Sequence, residues 1–267
     1  MGGLGTFISN HYALRRAASI SIFPESNQTR LTERSLPRPN TPVIRVVLFD
    51  IDGTLIRTGG AGVKAFGKTF ATEFNLPEAT KNVVFHGRTD VSLVREIFRE
   101  NKLEESPANF ARFFDRYPFW LDHYLHHLDG GPCEGVHKFI DALLHAPNKP
   151  MLGLLTGNIR LGAELKLRRY NMWQHFEFGA FADDHEDRNC IAGFAHQRAN
   201  KKFRRELKGE EILVVGDTAH DIECGKSIGA KVLAVGTGGV KLDLLSAHKP
   251  TYVVADLTEI SAEEALA

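Results

Sequence analysis

The run Val43-Ile44-Arg45-Val46-Val47-Leu48-Phe49-Asp50-Ile51-Asp52-Gly53-Thr54-Leu55 sets the architecture of this chain. Its first seven residues are almost continuously apolar and β-rich, as expected of a strand buried inside a sheet. Two carboxylates stand where that strand gives way to a loop. Side chains at i and i+2 of a strand share a face, so Asp50 and Asp52 aim at one point. Like charges so placed resist sharing a site unless a cation lies between them. Gly53 lets the backbone turn with positive φ or approach a ligand closely, and Thr54 adds a hydroxyl at the loop's start. Such an arrangement implies a metal-assisted phosphoryl-transfer site.

Outward from this strand, further short β-rich runs at 151–155, 177–181, 211–215, 231–235 and 251–254 alternate with helical stretches. With the strand at 43–49, this is the pattern of an α/β domain with a parallel sheet. The segment between the first two strands is too long for one crossover. Residues 60–75, 90–102 and 108–127 have helical spacing, which predicts an inserted helical domain. Phe66, Phe70 and Phe74 fall on one stripe of the first of these helices, and Leu93, Val94, Ile97 and Phe98 form another in the second; both read as helix core. Gly59, Gly60 and Gly62 on one side and Gly130, Gly131 and Pro132 on the other punctuate the insertion as candidate hinges. The expected organisation is a tail at 1–41, a core from 42–58 and 130–267, and a helical insertion at 59–129.

Composition narrows the class. A chain of 267 residues with 43% apolar residues has enough material for a proper core. Its 33 Lys and Arg balance 33 Asp and Glu, so no net field draws it to nucleic acid or an anionic membrane. A small soluble partner is the expectation. Cys133, Cys190 and Cys224 are odd in number and never form a CxxC, which fits a reducing compartment such as the cytoplasm. No apolar stretch approaches the roughly 20 residues that span a bilayer. Residues 1–41 carry five Arg, no Lys and two Glu among many Ser, Thr and Pro. They read first as a disordered tail or an over-extended start; an organelle transit peptide is the alternative.

Two further loops carry polar residues at the carboxyl ends of strands. Strand 151–155 runs into Thr156-Gly157-Asn158 before a helical pattern, where Thr156 and Asn158 could hold a phosphate or merely cap the helix. Strand 211–215 runs into Gly216-Asp217-Thr218-Ala219-His220-Asp221. Asp217 is a hard oxygen ligand of the kind Mg²⁺ accepts, and Asp221 alone would be an ordinary first-turn acid. Three such loops at one edge of a parallel sheet can converge in a single cleft.

These residues resemble the haloacid dehalogenase-like superfamily, whose phosphatases carry DxDGT, a Thr or Ser after a second strand, a basic residue and GDxxxD. The match spans roughly residues 43–255, and the phosphoglycolate phosphatase-like group is the nearest familiar type. The resemblance implies a doubly wound core with a helical cap between the first and second motifs. It implies Asp50 as nucleophile, forming an aspartyl-phosphate, with Asp52 as the acid and base that serves the leaving alcohol and then water. It also implies Mg²⁺ held by Asp50, the Asp52 main-chain carbonyl and Asp217, with Asp221 steadying that shell. Thr156 would hydrogen-bond the transferring phosphate, with Gly157 allowing a close backbone and Asn158 nearby. The expected substrate is a small phosphorylated metabolite.

The basic residue departs from the family's usual lysine. Arg188 falls in its place, 29 residues before Asp217, with Lys201 or Lys202 as competitors. An arginine keeps the charge in a planar fork suited to phosphate oxygens, so Arg188 is preferred. Inside the insertion, His86-Gly87-Arg88-Thr89-Asp90 is the most polar break. Arg88 is a candidate to face the substrate, while Thr89 or Asp90 equally suits the cap of a helix starting near Val91. His123, His126 and His127 read as a solvated helix face, the acidic run 183–187 as a solvated loop, and Gly236-Thr237-Gly238-Gly239 lacks dinucleotide spacing. A phosphomutase of the same superfamily and a non-catalytic phosphate-binding protein are the rival readings. Carbon–halogen cleavage is disfavoured by Asp52, and a cation pump by the absence of membrane spans.

Overall fold

The computed structural model describes residues 43–267, so the expectations for the 1–41 tail lie outside the described residues. Strand β1 (Val46–Phe49) leads through a tight turn to the short β2 (Ile56–Arg57). Three helices follow, α1 (Ala61–Phe74), α2 (Asp90–Glu100) and α3 (Pro107–His127), then β3 (Gly131–Pro132) and α4 (Val136–Leu144). From there strand and helix alternate: β4 (Met151–Leu155), α5 (Arg160–Arg169), β5 (Phe178–Ala180), α6 (Arg188–Phe203), β6 (Ile212–Gly216) and α7 (Ala219–Ser227). The chain closes with β7 (Lys231–Val235), α8 (Leu242–Ala247), β8 (Tyr252–Val254) and α9 (Ala262–Ala265).

Six strands form one parallel sheet in the order β5-β4-β1-β6-β7-β8. All six sequence-predicted strands are present, β4 and β7 with the expected bounds and the other four shifted or trimmed by one to three residues at their ends. Strand β1 is central: Val46 pairs with Met151 on one side and Ile212 on the other, and Phe49 with Leu154 and Val215. The chain therefore winds outward from β1 through β4 to β5, then crosses back to β6. Loops after β1, β4 and β6 meet at this reversal, where the carboxyl ends of open parallel sheets form their cleft.

The alternation of β1 shows why the sheet is covered on both faces. Val47 and Phe49 join Phe139, Ile140 and Leu143 of α4, Leu167 of α5 and Ala265 of α9. Val46 and Leu48 point the other way, to Ile191, Ala192 and Ala195 of α6, Ile222 of α7 and Leu245 of α8. All four β1 side chains are fully buried, each contributing on the order of 1.5–3 kcal/mol.

Helices α1 to α3 enclose a separate apolar cluster. The Phe66–Phe70 stripe packs on Phe113, with ring centroids 4.9 and 4.8 Å away, as the helix-core reading predicts. Both ends of this insertion are stitched together by a small antiparallel ribbon, in which Ile56 pairs with Pro132 and Arg57 with Gly131. Two-residue strands of this kind carry no periodicity for sequence reading to detect. Among the described residues no helix is long and apolar enough to cross a membrane.

Candidate active site

Asp50 follows directly on β1, and its backbone amide donates to the Val215 carbonyl at 2.9 Å, which ties it to β6. The turn after it is closed by the Gly53 and Leu55 amides, which reach the Ile56 and Ile51 carbonyls at 2.9 Å each. Gly53 has φ +86°, and a Cβ there would stand 2.6 Å from Asp217 Oδ2, so the turn and the neighbouring acid together require glycine. The register of β1 with β6 lays Asp217 beside this turn, and Asp221 enters from the first turn of α7.

Carboxylate oxygens of Asp50, Asp217 and Asp221 lie within 4.8 Å of one another, all buried. Thr54 Oγ1 donates to Asp217 Oδ1 at 3.0 Å. Thr218 gives its amide and hydroxyl to Asp221 Oδ2, at 3.0 and 2.7 Å. Asp217 Oδ2, by contrast, is buried with no hydrogen-bond partner.

One cation answers these three acids. Asp187 caps α6 by accepting from the Asn189 amide at 2.7 Å, which sets Arg188 at the helix start, beside the sheet's carboxyl edge. Its guanidinium reaches Asp50 Oδ1 at 3.4 Å and hydrogen-bonds Asp221 Oδ1. Lys201 and Lys202 are exposed near the other end of α6, so the geometry favours Arg188 over them. Burial pushes the Asp50 carboxyl up to about 7, reinforced by the Asp221 charge and opposed by Arg188. Burial likewise raises Asp217 well above the usual carboxylate range, with Asp221 and Asp50 adding to it. For Arg188 burial works against the charge, but Asp221 and Asp50 outweigh it and the guanidinium is held more basic than usual.

The Asp52 carboxylate stands apart from this cluster. Its Oδ2 accepts from Asn158 Nδ2 at 2.8 Å and from Lys166 Nζ at 2.6 Å. Asn158 Nδ2 also donates to Thr156 Oγ1 at 2.9 Å, so the loop after β4 and the turn after β1 form one network. Lys166 is missing from the sequence-derived candidates because α5 has the pattern of an ordinary helix. A signal exists nonetheless: Lys166 lies among Ile159, Ala163 and Leu167, on the stripe that the helix buries.

The insertion is tied down over these loops. The Asp90 amide donates to the Gly157 carbonyl at 2.7 Å, and the Asp90 carboxylate accepts from the Ile159 amide at 2.8 Å. Thr89 caps α2, accepting from the Ser92 amide at 3.2 Å, and its hydroxyl donates to the Glu186 carbonyl at 2.9 Å. Arg95 pairs with Glu186 at 2.7 Å, so part of the acidic run 183–187 anchors the insertion rather than merely meeting solvent. Arg88 lines the cavity, but its guanidinium is paired with Glu96 of α2, within the insertion itself. Asp90 is buried, and that burial pushes its carboxyl up to about 7 despite the Lys166 charge and the Ile159 amide. His123, His126 and His127 are exposed, as their solvated reading has it.

Between the insertion and the sheet lies a cavity of about 450 Å³, lined on one side by Asp50, Asp52, Thr156 and Arg188 and on the other by Phe66, Leu93 and Tyr117. The polar floor can hold an anion, and the apolar roof stands over whatever is attached to it. A divalent cation fits the buried acid cluster that adjoins the floor at Asp50. Three clustered carboxylates face one guanidinium, all donors are hard oxygens, and Asp217 Oδ2 lacks any other partner.

Known proteins resemble the chain along this same span. "Pyrophosphatase PpaX" from Bacillus cereus (strain B4264) is 28% identical over 221 residues, covering 81% of this chain and 94% of the relative. A predicted phosphoglycolate phosphatase from Haemophilus somnus 129pt shares the fold at 19% identity and a TM-score of 0.63, over 81% of this chain and 96% of that one. CbbY from Rhodobacter sphaeroides, solved with phosphate, shares it at 15% identity and a TM-score of 0.64, over 84% and 99%. The model of the haloacid dehalogenase-like hydrolases matches residues 47–235, from within β1 to the end of β7 and through every loop of the cavity floor, and the chain belongs to that family.

Proposed function

We propose that this protein hydrolyses small phosphate monoesters with Mg²⁺, by way of an aspartyl-phosphate on Asp50. The observation that carries the reading is the buried cluster of Asp50, Arg188, Asp217 and Asp221 at the carboxyl edge of the sheet, from which Asp50 and Arg188, with Asp52 beside them, line one cavity. Asp50, Asp217 and the Asp52 main-chain carbonyl would hold Mg²⁺, and Asp221 would steady them. When bound, the ion supplies positive charge that keeps these acids ionised and offsets charge on the phosphoryl oxygens.

The residues then divide the work. An Asp50 oxygen bonds to phosphorus as the ester P–O bond breaks, and Asp52 gives its proton to the departing alkoxide. Asp52 next takes a proton from water as the water oxygen bonds to phosphorus, and the bond to Asp50 breaks to release phosphate. Arg188 holds charge next to Asp50 throughout, and Thr156, with Gly157 and Asn158, borders the phosphoryl group. Gly53 and Thr54 shape the turn that presents Asp50. Residues 59–129 act as a cap domain that excludes water over the site and reads the leaving group, with Arg88 at its edge. The free thiols of Cys133, Cys190 and Cys224 support a reducing, cytoplasmic setting.

The test is phosphate release by purified wild type and Asp50→Asn from a panel of small phosphate monoesters, with and without Mg²⁺. Metal-dependent release that falls at least about 1,000-fold in the variant is expected, since the nucleophile cannot be replaced by an amide. Near-normal turnover by the variant removes Asp50 from that role.

A further inference from the structure

Lys166 is the only buried lysine among the described residues, at 4% exposed, and nothing in the family motifs accounts for it. A buried ammonium persists only where paired. Its Nζ donates to Asp52 Oδ2 and to Asn158 Oδ1, both at 2.6 Å. Asn158 Nδ2 reaches the same Asp52 Oδ2 at 2.8 Å, so two donors converge on one oxygen. Asp52 Oδ1 takes no hydrogen bond from the described residues. The Asp52 side chain remains 44% exposed and lines the cavity with Asp50. From above, α1 passes Gly62 over the lysine, where a Cβ would come 3.7 Å from Nζ.

We propose that Lys166 is a positioning residue for the hydrolysis: with Asn158 it saturates Asp52 Oδ2, leaving Oδ1 as the single oxygen that exchanges protons with the leaving group and with water. The inference rests on the phosphatase reading above. In the first step the Oδ1 proton moves to the alkoxide oxygen as the ester P–O bond breaks. In the second, Oδ1 receives a proton from the water whose oxygen bonds to phosphorus as the bond to Asp50 breaks. Without the lysine only the Asn158 amide holds Oδ2, so the carboxyl turns more readily about its terminal torsion and Oδ1 faces the leaving group a smaller part of the time. Because α1 covers Nζ, the insertion that encloses the substrate also holds the pair that aims Asp52.

Leaving-group dependence separates this role from a purely structural one. Wild type and Lys166→Met, a near-isosteric change, are compared in Mg²⁺ with ethyl phosphate and p-nitrophenyl phosphate, after thermal melts confirm that both are folded. Ethoxide departs only with a proton, whereas p-nitrophenolate departs without one. The expected result is a loss in kcat/KM of about 10- to 100-fold for the ethyl ester and less than about threefold for the aryl ester. The kcat falls for both, because attack by water needs the same oxygen. Equal losses in kcat/KM on the two esters, or no loss on either, overturn the inference alone. So does a loss confined to KM, with kcat unchanged on both esters, which would make Lys166 a substrate ligand. A wild type inactive on both esters overturns the phosphatase reading and this inference together.

Discussion

Replacing Asp90 by Asn should make the protein more stable above neutral pH and leave it nearly unchanged near pH 4. In the fold the Asp90 carboxyl is raised from 3.8 to about 7, mainly by burial, so it binds a proton that the unfolded chain has released. The native state then holds more protons than the unfolded state between about pH 4 and 7, and stability falls as pH rises through that window. A rise of that size is worth about 4 kcal/mol, an upper limit because buried sites respond as if in a medium of effective dielectric near 20. The amide keeps an acceptor for the Ile159 amide, but it forfeits about 0.3–1 kcal/mol of favourable charge at the α2 N-terminus. A net gain of up to about 3 kcal/mol at pH 8 remains, shrinking toward zero near pH 4. Urea unfolding of both proteins in chelator at pH 4.5, 6, 7 and 8 measures it. Asp50 and Asp217, also raised, occur in both proteins and cancel in the difference. A difference that does not vary with pH, or a wild type more stable than the variant at pH 8, would show that the Lys166 charge outweighs burial and keeps Asp90 ionised across the range, and would refute the reasoning.

Other perturbations probe the floor and the closure. Arg188→Ala should cut turnover by about 100-fold or more by removing the buried cation beside Asp50, while Lys201→Ala changes it less than about twofold; equal small effects would remove Arg188 from the site. Gly157→Ala drives a Cβ into the Arg88 carbonyl, and should hold the insertion off the sheet, lowering kcat and raising proteolytic cleavage between residues 85 and 90 without unfolding the sheet. Unchanged kcat and cleavage would mean that the loop yields locally. Thr54→Val removes the hydroxyl that orients Asp217, so the Mg²⁺ concentration for half-maximal activity should rise by about tenfold, read from a metal titration; an unaltered titration denies the residue that task.

The core architecture and the floor of the site were legible because both are written in local pattern. Short β-rich runs alternating with helical periods can pack only as an α/β layer, and Asp50, Thr156 and Asp217 each sit within two residues of a strand's end. A parallel sheet brings such ends to one edge whatever the strand order, so convergence could be inferred before any coordinate was known. Arg188 was legible as a charge at a spacing, although only the structure places it on Asp50 and Asp221 rather than leaving the task to Lys201.

What the chain alone did not reveal depends on which faces meet. Lys166 looks like any helical lysine until α1 and the β4 loop close around it. Arg88 lines the cavity as a candidate there, but its pairing with Glu96, eight residues on, is visible only in the structure. The acidic loop 183–187 looks solvated until Arg95 and Thr89 reach Glu186 from another part of the chain. Periodicity and propensity report what a segment does within a few residues of itself. Pairings across 90 or more positions arise from the packing of separate elements, insertion on core for Arg95 with Glu186 and α5 on the turn after β1 for Asp52 with Lys166, and only the tertiary structure decides them.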